Sequence, residues 1–127
     1  MINGLTKMKK RINVARKKKT LEEKLKQNVE RIFNEKRRWM GADNIMLQVN
    51  VASGIWGPPV VGENVYAEAF PFENPPRVWI EVWPDATGKE ITEIVCHELV
   101  HIKHPELNEE SEEFKKKVKA CMRAQGK

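Results

Sequence analysis

Thr87 and Pro105 bracket the segment that most limits what this chain can become. Thr87-Gly88-Lys89-Glu90 has the form of a capping box, in which the threonine hydroxyl and the glutamate carboxylate satisfy amides at a helix start. Ile91, Ile94, Val95, Leu99 and Ile102 then recur at helical spacing as a buried stripe. Pro105 disfavours helical geometry at His104, so the pattern predicts a helix over 88–103. Its C-terminal half contains His97-Glu98-Leu99-Val100-His101. Residues four apart share a helix face, so His97 and His101 can turn two neutral imidazole nitrogens to a single Zn²⁺. Glu98, one position round the helix, stays off the ion and is placed to act as general base on the ion's water.

The rest of the chain supplies a scaffold of mixed type. Thr20-Leu21-Glu22-Glu23 is a second capping box and opens an amphipathic helix over 20–40, with Leu21, Leu25, Val29, Ile32, Phe33 and Trp39 on one face and Gly41 at its end. Ile45 to Val51 alternates as a strand. Gly54, Gly57, Pro58, Pro59 and Gly62 break regular structure until Val65 to Phe70 resumes it. After the turn-rich Pro71 to Pro76, Arg77 to Trp83 reads as a third strand, with Val78, Ile80 and Val82 on one face and Trp79 and Trp83 on the other. Asn108 is the expected N-cap of a last helix running to Cys121 or Met122, its apolar face formed by Leu107, Phe114 and Val118. The order of elements indicates an α+β fold with a small sheet of about three strands.

Composition narrows the class further. A chain of 127 residues builds one domain, here 20–127, with one core. The formal net charge of +5 is unevenly spread: residues 1–40 hold fourteen Lys or Arg against four Glu, and the remainder nine against fourteen acidic residues. A basic arm, 1–19, therefore precedes a mildly acidic body. Such arms bind nucleic acid or lie across an acidic surface of their own protein. No stretch reaches the roughly 20 apolar residues of a membrane span, and the N-terminus lacks a signal peptide's apolar core, so the expected location is cytoplasmic. Cys96 and Cys121 are too few and too far apart in sequence for a disulfide framework or a CxxC site and read as buried helix packing.

A catalytic zinc takes three protein ligands, and two histidines leave one to find. His104 on a continued helix would stand about 10 Å along the axis from His97, too far to share an ion. The last helix offers Glu109, Glu110, Glu112 and Glu113. Glu110 lies four residues before Phe114 on the face that turns inward, whereas Glu109 is about 140° and Glu113 about 100° from Phe114 round a helix. Helical geometry therefore selects Glu110.

The pentad and the glutamate-bearing segment after it resemble the zincin metallopeptidases, specifically the small gluzincins of the minigluzincin group. His101-Ile102-Lys103-His104-Pro105 and Glu110-Ser111-Glu112-Glu113-Phe114 also resemble SprT-like proteases, in which a histidine stands at the position of Glu110. The wider gluzincin pattern, with an acidic residue four after the ligand, fits Glu109 with Glu113 and keeps those two positions open. The resemblance, over roughly 20–122, implies a minimal zincin fold: a backing helix, a small twisted sheet, an active-site helix and a C-terminal glutamate helix. It implies a zinc-dependent metallopeptidase that hydrolyses peptide bonds through a zinc-bound water activated by Glu98, with His97, His101 and Glu110 on the metal. An edge strand, expected at Val65 to Phe70, would pair with an extended peptide or protein substrate. Terminal segments hold such proteins latent, which makes the basic arm a candidate pro-segment of a zymogen. His104 and Tyr66 are the candidates for stabilising the oxyanion. The alternatives are a nucleic-acid-associated protease of the SprT-like kind, its arm on DNA, and a non-catalytic zinc-binding interaction domain.

Overall fold

The first helix, α1 (Leu21–Met40), forms because both its ends carry the chemistry that helix ends require. The Thr20 hydroxyl accepts the Glu23 amide at 3.1 Å. At the other end Gly41 takes φ 70°, a left-handed conformation that costs a residue without Cβ little, and its N–H is donated back to Arg37 and Arg38. The computed structural model describes residues 20–52 and 63–124. The basic arm over 1–19, with the pro-segment and nucleic-acid readings that rest on it, and the glycine- and proline-rich break at 54–62 lie outside the described residues.

Three strands follow: β1 (Met46–Val51), β2 (Val65–Phe70) and β3 (Arg77–Val82). They form one mixed sheet in the order β1-β3-β2. β3 is central, parallel to β1 with Val49 opposite Ile80, and antiparallel to β2 with Ala67 opposite Ile80. Alternation along β3 points Val78, Ile80 and Val82, all at 0 % exposure, to the covered face. Two helices cover it, α1 and α2 (Gly88–Lys103). The core is therefore Val29, Ile32 and Phe33 of α1 and Ile91, Val95 and Leu99 of α2, closed over the three valine and isoleucine side chains of β3. Each such side chain contributes roughly 1.5–3 kcal/mol by leaving water.

Helix α2 is fixed at its start as the capping-box pattern requires. Thr87 Oγ1 accepts the Glu90 amide at 3.1 Å, and Glu90 Oε1 accepts the Thr87 amide at 3.0 Å. Glu90 Oε2 also takes the Asn64 amide at 3.3 Å, tying the helix to the entrance of β2. These donors, the Thr87 amide foremost, hold the Glu90 carboxyl below its ordinary range. No described helix is long and apolar enough to cross a membrane.

Two features depart from the expected pattern. Leu21 is 70 % and Trp39 43 % exposed, and the buried stripe of α1 is Val29, Ile32, Phe33 and a charged residue, Lys36. The last helix, α3 (Glu112–Arg123), begins after Ser111 rather than Asn108. Asn108 Oδ1 takes the Glu110 amide at 2.9 Å and Asn108 O takes the Ser111 amide at 3.0 Å, which closes a turn. Ser111 Oγ then accepts the Phe114 amide at 3.2 Å and caps the helix proper.

Lys36 explains how α3 is held. Its ammonium donates to the carbonyl oxygens of Cys121 and Ala124 at 2.8 Å each and of Met122 at 3.4 Å. A buried cation at a helix C-terminus both satisfies orphan carbonyls and meets the negative end of the helix dipole. Replacing it by Lys36→Met removes this donor from all three oxygens, of which Cys121 O keeps the Ala124 amide at 3.2 Å, and is expected to lower unfolding stability by about 2 kcal/mol. Urea titration followed by far-UV circular dichroism measures the loss.

Candidate metal centre

Helix α2 carries both histidines on the flank of its buried stripe. His97 Nε2 and His101 Nε2 stand 3.2 Å apart. Phe114 of α3, 1 % exposed, packs its ring edge-on to His97 with centroids 5.0 Å apart and tilted against His101 at 4.6 Å. One aromatic side chain thus fixes the orientation of two imidazoles. The sequence pattern marks Phe114 as core, and its contact with both rings becomes visible only once α3 is docked.

The carboxylate that reaches the histidines belongs to Glu109. Its Oε2 lies 3.1 Å from His97 Nε2 and 3.1 Å from His101 Nε2. Glu110, the residue selected by helical geometry, instead gives its amide to Asn108 in the turn and is exposed. Glu113 is exposed on the first turn of α3. The physical reason is the late start of α3: residues 108–110 are a turn, so angles counted at 100° per residue back from Phe114 do not apply to them.

His97 Nε2, His101 Nε2 and Glu109 Oε2 form a nearly equilateral triangle with sides of 3.1, 3.1 and 3.2 Å. Three ligand atoms each about 2.0–2.1 Å from a tetrahedral ion stand roughly 3.3–3.4 Å from one another, a few tenths of an ångström wider. As N–H tautomers both imidazoles donate to Glu109 Oε2; with the two Nε2 atoms unprotonated, their lone pairs and the carboxylate oxygen converge on one point, where a divalent cation would serve all three. The donor set therefore fits a metal ion. The imidazole N–H groups, His101 first and then His97, keep Glu109 ionised below its usual range.

Glu98 stands beside this triangle in a different environment. It is buried at 5 % exposure, and its carboxylate lies within 4.8 Å of the imidazole nitrogens. Burial first, then the charges of Glu109 and Glu68, push its pKa up to about 7. It lines a cleft of about 290 Å³ with His101, Pro105, Pro71 and the β2 residues Ala67, Glu68 and Ala69. Glu68, which no motif singled out, faces this cleft because β2 is the strand beside it.

The two candidates for an oxyanion donor are placed elsewhere or engaged. His104 ends α2, donating its amide to Val100 at 2.8 Å, and lines a separate groove with Trp39, Met40, Lys103 and Lys117. Tyr66 donates its hydroxyl to Glu68 Oε1 at 2.5 Å, and that bond raises its pKa above the ordinary phenol value. Compared with known proteins, the chain matches no family model, no curated protein and no solved structure.

The raised pKa of Glu98 has a sign that can be checked on the metal-free protein. Its folded value of about 7 exceeds the ordinary 4.5, so the favourable contribution is complete below pH 4.5 and is lost as pH rises through 7. Glu98→Gln removes the ionisation and should stabilise the metal-free chain at pH 8 by about 2–3 kcal/mol relative to the parent, with the gain vanishing near pH 4.5. Denaturant midpoints at the two pH values measure the difference.

Proposed function

We propose that the protein is a zinc-dependent metallopeptidase, with His97, His101 and Glu109 as the metal ligands and Glu98 as the general base. The observation that carries this reading is the triangle of ligand atoms, 3.1 to 3.2 Å on each side, beside a buried carboxyl group with a pKa of about 7. A zinc ion there would polarise the scissile carbonyl and lower the pKa of the attacking water. Glu98 takes the proton from that water and passes it to the departing amine, a task best matched by a pKa close to the working pH. Phe114 keeps the two imidazoles aimed at one point.

The sheet edge supports a peptide as the substrate. β2 is an outer strand, and the Trp83 amide donates to Asn64 O at 2.9 Å, which sets the phase of its pairing with β3. Backbone groups alternate inward and outward along an antiparallel strand. The Asn64 carbonyl and the backbone groups of Tyr66 and Glu68 are therefore directed to β3, and Val65, Ala67 and Ala69 direct theirs to the open edge. An extended peptide laid along Ala67 and Ala69 would gain main-chain hydrogen bonds and run past Glu98 and His101. In this reading α1 is the backing helix, α2 the active-site helix and the turn before α3 the source of the glutamate ligand, a minimal zincin arrangement.

Two experiments test the assignment. Glu109→Ala should weaken zinc binding at least ~10-fold, while Glu110→Ala leaves it close to the parent, both read by competition with a zinc chelator. The opposite order would return the ligand role to Glu110. Glu98→Gln should retain one zinc per chain and lose at least ~100-fold in turnover of a quenched peptide panel, and undiminished cleavage would remove Glu98 from the mechanism.

A further inference from the structure

β2 brings a charged side chain to the cleft as well as a free edge. Glu68 lines that cleft with Glu98 and His101. Its Oε1 accepts the Tyr66 hydroxyl at 2.5 Å, and the Tyr66 ring meets Trp79 edge-on, with centroids 5.6 Å apart and an angle of 71° between the planes. Tyr66 and Glu68 are two apart on β2, and Glu68 stands opposite Trp79 on β3, so the three side chains rise from one face of the sheet. A carboxylate is thus held at the mouth of the cleft beside an ordered aromatic pair. Arg77 follows on the same face, but it is bound elsewhere. Its guanidinium donates to both oxygens of Glu73 at 3.1 and 3.2 Å and lies 4.1 Å from the centre of the Phe70 ring. Among the described residues no lysine or arginine forms an ion pair with Glu68.

We infer that Glu68 is a specificity-determining residue of this cleft, selecting peptides that carry a lysine or arginine side chain at the position across from it. The inference deepens the metallopeptidase reading and rests on the same substrate strand along β2. Glu68 turns its backbone groups to β3, so a peptide residue lying antiparallel and opposite to it falls in a non-hydrogen-bonded pair, where side chains approach most closely. The alkyl stem of a lysine or arginine there runs along the Tyr66 ring, and its charge meets the Glu68 carboxylate with an aromatic ring beside it. A methionine at the same place brings a stem of similar length and no charge. An aspartate or glutamate sets a like charge against Glu68 and is rejected.

Two experiments keep this inference separable from the metallopeptidase reading. In the first, blocked pentapeptides alike except for a central Lys, Met or Glu are titrated into the isotope-labelled, full-length, metal-free chain, so neither zinc nor turnover is needed. The Lys peptide should shift the amide NMR signals of Ala67 and Ala69 and bind roughly 5-fold more tightly than the Met peptide, with the Glu peptide weakest. Glu68→Gln should level the three affinities, and Glu68→Lys should reverse their order. In the second, the zinc-loaded chain is given a mixed peptide library. Cut bonds should have Lys or Arg at one fixed distance, and Glu68→Gln should erase that preference. Absence of binding by all three peptides, equal affinity for them in the parent, or a Lys preference that survives Glu68→Gln would each overturn the role of Glu68. A library left uncut, with the Lys preference present in the binding titration, would overturn the metallopeptidase reading and support the selection of basic peptides.

Discussion

Removal of the α2 stripe from water is the constraint on which the rest of this molecule depends. Ile91, Val95 and Leu99 have no exposed surface, and they meet Val78, Ile80 and Val82 across the helix-covered face of the sheet. That burial sets the rotation of α2 about its own axis. Rotation in turn decides where the flanking side chains go: Glu98 inward to 5 % exposure, and His97 and His101 to the boundary between core and solvent. A helix turned by one residue would bury a histidine and expose the carboxyl group. The chemistry proposed for the cleft is therefore a consequence of hydrophobic packing several ångströms away.

Around that helix the polar groups are arranged in pairs that each solve a local problem. Glu90 closes the start of α2 and also holds the entrance of β2. Lys36 closes the end of α3 from a position on α1 where an apolar residue would have fitted the pattern. Every buried side-chain nitrogen or oxygen among the described residues has a hydrogen-bond partner. Glu98 departs from this economy in its energetics: its surroundings oppose ionisation, and a group kept near neutrality by burial can both accept and release a proton close to pH 7.

Local signals in the sequence were sufficient where the structure itself is local. The bounds of α2 follow from Thr87, Glu90 and Pro105, and they agree with Gly88–Lys103. The three strands follow from alternation and agree to within a residue at each end. What could not be read is what depends on docking one element against another. Glu109 is the clearest case: the motif spacing left it open beside Glu110, and with two capping residues, Asn108 and Ser111, three apart, only the packing of Phe114 decides which one opens the helix. Lys36 was hidden for the same reason, because its partners are carbonyl groups about 85 positions away. The cysteines were read as packing residues, and both are buried.

The seating of Glu109 divides the triangle into a rigid part and an adjustable one. His97 and His101 ride on a single rod whose geometry is set by backbone hydrogen bonds and by Phe114. Glu109 is carried on a short bridge, 104–111, held by the Asn108 turn and by little of the core. Residence of an ion would then be governed by the shape of that bridge, while the architecture below remains indifferent to it. Natural variation could retune how firmly such a site grips its cation, or which cation it prefers, through substitutions that leave the core untouched.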